Sequence, residues 1–376
     1  MLRRLILRDF RNFEKLDVEV PEAGLVIVGE NGHGKTNLLE AVSYLGLFRS
    51  IRGSRDVDAI RFGAPAFHVR ADLVDAQIAE SVSVGYERST KRKKAVVHGV
   101  EQPKLSNALG ALPSVCFSPV DVALVAGGPA ERRHFLDVTL ALTDARYLRA
   151  LQHYRAALRQ RNAALRAALR AGARPGGAHD AHVSIWEPTL AQHGATLVAL
   201  RRTWCDQLSE RFSNLCEAIG ERVRVTMRYH GAELPSAAAS NGKFADATTY
   251  TEAFEQQRGR ELRRGLTLVG PHRDDLQLLL GTRDLRTFGS NGQQRTAAIA
   301  LRMLELATRR EALDKPPLLL LDDPFAELDT KRSARILALL EEGGVGQVIV
   351  AVPRDVDIPA AFTRLERRSM INGSLQ

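Results

Sequence analysis

The sequence predicts an α/β fold in which both ends of the chain build one parallel-sheet lobe and the middle supplies a second, mainly helical lobe. Three observations carry that prediction. Residues 29–36 form a glycine-rich loop between a short apolar run and a helical pattern. Residues 317–323 form another short apolar run, this one ending in two carboxylates. Between 143 and 219, apolar residues recur at helical spacing. The first two features have to meet in one site, so the chain between them is an insertion entered and left by two connections. A length of 376 residues suffices for two such lobes.

The loop reads Gly29-Glu30-Asn31-Gly32-His33-Gly34-Lys35-Thr36, the complete G-x-x-x-x-G-K-[ST] spacing of a nucleotide-phosphate cradle. Glycines permit the tight turn that aims backbone N–H groups at phosphate oxygens. Lys35 neutralises β- and γ-phosphate charge, and Thr36 brings a hydroxyl to Mg²⁺. Leu25-Val26-Ile27-Val28 supplies the buried strand in front, and Asn37-Leu38-Leu39-Glu40-Ala41-Val42 a helix whose N-terminal dipole faces the phosphates.

After Pro317, the run Leu318-Leu319-Leu320-Leu321-Asp322-Asp323 is too short for a core helix. It fits a central parallel strand that delivers acids to the carboxyl edge of a sheet, where Mg²⁺ and the γ-phosphate sit. Asp322 is the candidate ligand of Mg²⁺ and its water, together with Thr36. Asp323 is the candidate that orients the attacking water, so Lys35, Asp322 and Asp323 form the expected catalytic set. An N-cap pair opening the helix after Pro324 is the alternative.

Ser290-Asn291-Gly292-Gln293-Gln294-Arg295 precedes a long helical pattern through Leu306. A hydroxyl and a glycine at a helix start make a second anion site, in which Ser290, Gly292 and Gln293 are candidate phosphate contacts. One chain rarely folds two such readers onto one γ-phosphate, which points to the nucleotide of a partner subunit across a two-fold axis. A plain helix cap at Ser290 is the alternative.

These segments, with Glu327-Leu328-Asp329, resemble an ATP-binding-cassette-type head of the kind shared by transporters, structural-maintenance-of-chromosomes proteins and repair ATPases. Further blocks narrow the resemblance to the RecF family of bacterial DNA replication and repair proteins. They are Leu5-Ile6-Leu7-Arg8-Asp9-Phe10-Arg11-Asn12-Phe13, Gly29 to Leu39, Phe117-Ser118-Pro119 to Arg132-Arg133-His134-Phe135-Leu136-Asp137, Gly270-Pro271-His272-Arg273-Asp274-Asp275-Leu276, and Gly289 to Thr296. The resemblance covers nearly the whole chain. It implies a P-loop ATP-binding-cassette-type head, expected over 1–137 and 265–376, with an inserted helical lobe, 138–264, carrying a short antiparallel arm. It also implies ATP and Mg²⁺ as cofactors, with Arg11 and Asn12 joining the nucleotide site, and a homodimer that forms with ATP. By resemblance, such a dimer binds DNA at gaps or single-strand/duplex junctions and uses weak, DNA-stimulated hydrolysis as a release switch. It acts with RecO and RecR to promote RecA loading, replication restart and the SOS response.

The sequence departs from the family pattern at three places. Val120 stands where an acid is usual, Asn291 where glutamine is common, and Pro324-Phe325-Ala326 where a Val-Leu-Ser-like step usually precedes Glu327. Gln347-Val348-Ile349-Val350 leads into Ala351-Val352-Pro353 without the histidine that transporters carry, which fits switch-like use of ATP better than fast pumping. A transporter subunit would also have a shorter insert. A chromosome-organising head ATPase of the structural-maintenance type, the remaining alternative, needs long coiled coils.

Within the insert, Tyr147, Leu151, Tyr154, Leu158, Leu165 and Leu169 share one helix face. Gly172-Ala173-Arg174-Pro175-Gly176-Gly177 breaks that helix, and Leu197, Leu200, Trp204, Leu208, Leu215 and Ile219 mark a second, so an antiparallel hairpin is expected. The formal charge of +9 favours a polyanionic partner. Arg155, Arg159, Arg166 and Arg170 form a stripe beside the first helix's apolar face. Lys91-Arg92-Lys93-Lys94 sits at a hairpin tip between Ser81-Val82-Ser83-Val84 and Ala95-Val96-Val97. Both clusters are candidate DNA-phosphate contacts; arginines flanking a helix seam and a solvated turn are the respective alternatives. Neither cluster has interleaved aromatics, so sequence-independent backbone binding is expected. Cys116, Cys205 and Cys216 match no zinc spacing. With Arg8 and Asp9 interrupting the first apolar stretch and no run near the ~20 residues that span a bilayer, a cytoplasmic chain with no membrane partner is expected.

Overall fold

The computed structural model describes residues 1–75, 78–231, 246–326, 328–344 and 346–376. Glu327 lies outside them. The contacts divide the chain into two compact units, Met1–Asp121 with Glu305–Gln376, and Val122–Leu304.

The first unit opens with β1 (Leu2–Phe10), β2 (Phe13–Glu19) and β3 (Gly24–Val28), followed by helix α1 (Lys35–Leu47). Strands β4 (Ala66–Asp75), β5 (Ile78–Glu87), β6 (Arg92–Val97), β7 (Val100–Glu101) and β8 (Ser114–Phe117) come next. The late residues add β12 (Leu318–Asp322), α10 (Thr330–Glu342), β13 (Val348–Val352), β14 (Glu366–Ile371) and β15 (Ser374–Leu375). One sheet has the order β2-β1-β4-β5-β6-β7 and is antiparallel. The other has the order β15-β14-β3-β13-β12-β8, with parallel pairing from β14 to β8. Helix α1 packs on strands of both sheets.

The patterns behind these strands differ as their surroundings do. In β1, Leu2, Leu5, Leu7 and Phe10 turn inward while most of the residues between them face out, as in a sheet with one wet face. Every residue of β12 and β13 is buried, which requires the continuous apolar runs of a central parallel sheet. Phe10, Tyr44 and Phe67 meet edge to face, with centroids 5.3–6.0 Å apart, and tie α1 to the antiparallel sheet.

The second unit contains α2 (Ala123–Ala126), α3 (Pro129–Ala141), α4 (Ala145–Arg170), α5 (Ala178–Ser184), α6 (Glu187–Ile219) and β9 (Val225–His230). Helix α7 (Ala247–Arg264), β10 (Asp275–Leu280), β11 (Arg283–Asp284) and α8 (Leu285–Phe288) follow, and α9 (Asn291–Leu313) begins there. The expected helical hairpin is present. Tyr147 on α4 meets Arg201 on α6, and Arg161 meets Glu187, so sequence number rises on one helix as it falls on the other. Tyr147, Leu151, Tyr154 and Leu165 are buried in the seam, whereas Leu169, near the end of α4, is exposed. Helix α7 packs on both hairpin helices, and β9 pairs antiparallel with β10.

The units do not divide at the expected boundaries. Residues 122–137 and 265–304, expected in the head, pack within the second unit. Arg132 on α3 grips Asp275 with two hydrogen bonds of 2.8 Å. Asp137 accepts from Arg201 and Arg155, each at 2.7 Å, so α3 is bound to both hairpin helices. Among the described residues, no helix is long and apolar enough to cross a membrane.

Candidate nucleotide site

The glycine-rich loop leaves the end of β3 and returns into α1, so its backbone lies at the carboxyl edge of the parallel sheet. Two glycines in it are required by their surroundings. A Cβ at Gly29 would stand 2.4 Å from the Met370 carbonyl oxygen. Gly34, at the helix N-cap with φ 111°, has left-handed backbone, and a Cβ there would strike the Asn12 side chain. The loop is braced from both ends of the chain. Asn12 donates to the His33 carbonyl at 3.1 Å and accepts from Asn37 at 2.8 Å, while His33 Nδ1 donates to the Met370 carbonyl at 3.1 Å.

Lys35 folds over the loop, its ammonium hydrogen-bonded to the Gly29 and Glu30 carbonyls. Burial lowers its pKa, opposed by the nearby charges of Asp322 and Asp323. Thr36 donates its hydroxyl to Asp322 Oδ1 at 2.9 Å, and Ser118 reaches Asp322 Oδ2 at 3.4 Å. Asp322 is buried at the end of β12, and burial raises its pKa despite these hydrogen bonds and Arg52. Asp323, the next residue, has φ 44° and lines the same cavity of about 420 Å³ as Gly32, Gly34, Lys35, Thr36 and Asp322. Asn31 is also on the wall. The two halves of the site, distant in sequence, therefore share one concave surface of oxygen donors, backbone N–H groups and one ammonium. Thr36 and Asp322 offer hard oxygen donors of the kind that suit Mg²⁺.

Other sequence candidates are placed differently. Arg11 does not line the cavity: its guanidinium donates to both oxygens of the buried Glu40, at 2.9 and 2.6 Å, and to Ser54. Asn12 acts on the loop's backbone, as described. Ser290 is the N-cap of α9, accepting from Gln293 N at 3.3 Å while the Gln293 side chain accepts from Ser290 N at 3.0 Å. Ser290, Asn291 and Gly292 are exposed at that helix start.

The basic clusters separate residue by residue. The hairpin tip is present between β5 and β6, and Lys91 and Arg92 are exposed on it. Lys93 turns inward instead, because its ammonium pairs with Asp56 at 2.6 Å, donates to the Phe48 carbonyl at 2.8 Å and sits over the Tyr44 ring. Lys94 pairs with Glu101 at 3.1 Å on the surface. On α4, Arg159, Arg166 and Arg170 are exposed; Arg155 also is, but with Asp137 as its partner. Arg161, on the same helix, is fully buried between Glu187 and Glu261, each 2.6 Å away.

Sequence reasoning missed Arg52, which lines the cavity, and Ser118, which touches Asp322. The signal for Ser118 was its place in the Phe117-Ser118-Pro119 block. Arg52 had none, lying in a polar loop without a motif.

The whole chain has relatives. The family described as RecF/RecN/SMC N terminal domain matches residues 1–365. A DNA replication and repair protein RecF from Roseiflexus castenholzii is 35% identical over 99% of this chain and 98% of its own length. The RecF of Salinibacter ruber is 36% identical over 94% of this chain and 85% of its own. A solved structure of the recombination mediator protein RecF-ATPrS in the RecFOR pathway superposes with a TM-score of 0.86 at 27% identity, covering 100% of this chain and 97% of that one. The Smc head bound to the C-winged helix domain of ScpA, covering 100% of this chain and 96% of its own, has a TM-score of 0.54 at 16% identity and shares the fold. The fold is thus the ATP-binding-cassette-type head with a helical insert, and the phosphate loop, the Asp322 strand and the Ser290 helix start stand in a full-length match. On these grounds the chain belongs to the RecF/RecN/SMC family and, within it, to the RecF group.

Proposed function

We propose that this chain is an ATPase of DNA recombination and repair that dimerises with ATP on DNA, at gaps or single-strand/duplex junctions, and leaves after slow hydrolysis. The observation that carries the reading is the convergence of Lys35, Thr36, Asp322 and Asp323 on one cavity. Loop N–H groups and Lys35 hold the β- and γ-phosphates. Bound at Thr36 and Asp322, Mg²⁺ would supply charge neutralisation of the phosphates. Asp323 accepts a hydrogen bond from the attacking water and aligns it with the β–γ bond. Ser290 and its helix start contact the nucleotide held by a second copy, so each site is completed in trans and hydrolysis loosens the pair. The exposed residues Lys91, Arg92, Arg159, Arg166 and Arg170 neutralise DNA phosphates without reading bases. RecO and RecR are the partners, a reading that the RecFOR context of the similar solved structure supports, and RecA loading is the outcome, with replication restart and SOS induction downstream. DNA stimulation of the turnover and a cytoplasmic setting belong to the same reading.

Binding to single-stranded, duplex and gapped DNA, with and without ATP and across a salt series, tests it. An ATP-dependent dimer on DNA that Lys35→Ala abolishes is expected. Equal DNA affinity and oligomeric state with ATP, without ATP and in Lys35→Ala would overturn it.

A further inference from the structure

Glu40 is a carboxylate with no exposed surface, one turn beyond Lys35 in α1. Such a charge persists only with cationic and hydrogen-bonding partners. It has more claimants than most. Arg11 takes both oxygens, Ser50 donates to Oε1, and Arg52 Nε stands 4.0 Å from Oε2. Ser50 in turn accepts from the Arg52 backbone N–H at 3.1 Å. Glu40 therefore holds the main chain of Arg52 through Ser50 and attracts its side chain directly. Arg52, 37% exposed in its side chain, is on the wall of the nucleotide cavity.

We propose that Glu40 is a positioning residue that sets how much of the Arg52 charge reaches the bound polyphosphate, because its one carboxylate is divided between Arg11 and Arg52. The short, bidentate grip of Arg11 satisfies Glu40 and leaves Arg52 at the weaker distance, free to turn to the terminal phosphate. This rests on the reading of the cavity as a nucleotide site. It assigns to the buried pair a control over the preference for triphosphate over diphosphate.

The division predicts opposite signs for two substitutions. Glu40→Gln removes the charge that restrains Arg52, so affinity for ATPγS relative to ADP rises. Arg11→Gln leaves a buried carboxylate short of a cation, Arg52 moves in to replace it, and the same ratio falls. Each shift should be about two- to fivefold, the worth of one partly exposed ion pair. Calorimetric titrations of ATPγS and ADP into the full chain measure the ratio, and both shifts should vanish in an Arg52→Gln background. Shifts of the same sign, or shifts that persist without Arg52, overturn the proposal and leave Glu40 a structural anchor. Should Glu40→Gln show no cooperative melt, Arg11→Gln with and without Arg52→Gln decides, since Glu40 is then intact. Failure of the nucleotide reading looks different: the unmodified chain would bind neither ligand, or Lys35→Ala would bind both as well as it does.

Discussion

Lowering the pH from 7.5 to 5 should weaken the second unit through one histidine. His272 Nε2 lies 3.2 Å from the Thr267 carbonyl, which can only accept, so that nitrogen carries the proton. Nδ1 is then bare and accepts from the Tyr154 hydroxyl at 2.6 Å. Burial, with Arg273, Arg133 and Arg161 nearby, brings its pKa from 6.5 to about 4. The folded unit thus keeps His272 neutral at pH values where the unfolded chain takes up a proton. Its contribution is complete above the unfolded pKa of 6.5 and declines as the pH falls towards 4. Linkage over that interval gives a loss of about 2 kcal/mol at pH 5 and about 3 kcal/mol at pH 4. The assay is favoured by composition: the chain has two tryptophans, and Trp186 and Trp204 both lie in this unit, so fluorescence follows its unfolding. Urea melts at pH 7.5, 6 and 5 should be compared with those of His272→Asn, which keeps a polar side chain but cannot titrate. The unmodified chain should lose about 2 kcal/mol more than the variant between pH 7.5 and 5. Equal losses would refute the assignment of a neutral, doubly bonded His272.

Three other outcomes follow from the geometry. Arg161→Met leaves Glu261 buried without its cation, while Glu187 keeps Arg258, and should destabilise the second unit by about 3–5 kcal/mol in the same fluorescence melts. Lys93→Gln should lower the melting temperature, because Asp56 is left without its ammonium, and should not alter the salt dependence of DNA binding. Replacing Lys91 and Arg92 with glutamine should instead flatten the slope of log K against log salt by about 0.7–0.9 for each DNA phosphate that is no longer neutralised. Asp323→Asn should keep ATP binding but slow hydrolysis by about a hundredfold or more in single-turnover assays, and unimpaired turnover would remove Asp323 from the water-orienting role.

What could be read from the sequence was whatever is local or periodic. The glycine-rich loop and the Leu318–Asp322 strand each carry their evidence in a short run, and the helical hairpin carries its own in two periodic series, one per helix; each element stands where expected. Partners far along the chain were invisible. Lys93 looks like its neighbours Arg92 and Lys94 until the fold brings Asp56 to it, and Arg161 fits an arginine-rich surface until Glu187 and Glu261 close over it. The unit boundary was misplaced for the same reason: α3 follows the head strands in sequence, but Arg132 and Asp137 bond with Asp275, Arg155 and Arg201. Arg11 was assigned to the nucleotide by the family resemblance, and only the geometry reveals its bond to Glu40.

The neighbours of β3 constrain how the molecule can be made. This strand, which launches the phosphate loop, pairs with β13 on one side and β14 on the other. Residue 348 leaves the ribosome about 320 positions after residue 28, which at ~5–20 residues per second is tens of seconds of translation. Throughout that interval Leu25-Val26-Ile27-Val28 has neither strand neighbour, although β1, β2, β4, β5 and β6 can already pair among themselves. An unpaired apolar strand on a nascent chain invites aggregation and chaperone capture. The brace from Met370 arrives later still, so a chain truncated before β14 should bind no nucleotide. The phosphate loop gains its full support only once β13 and β14 have both been made.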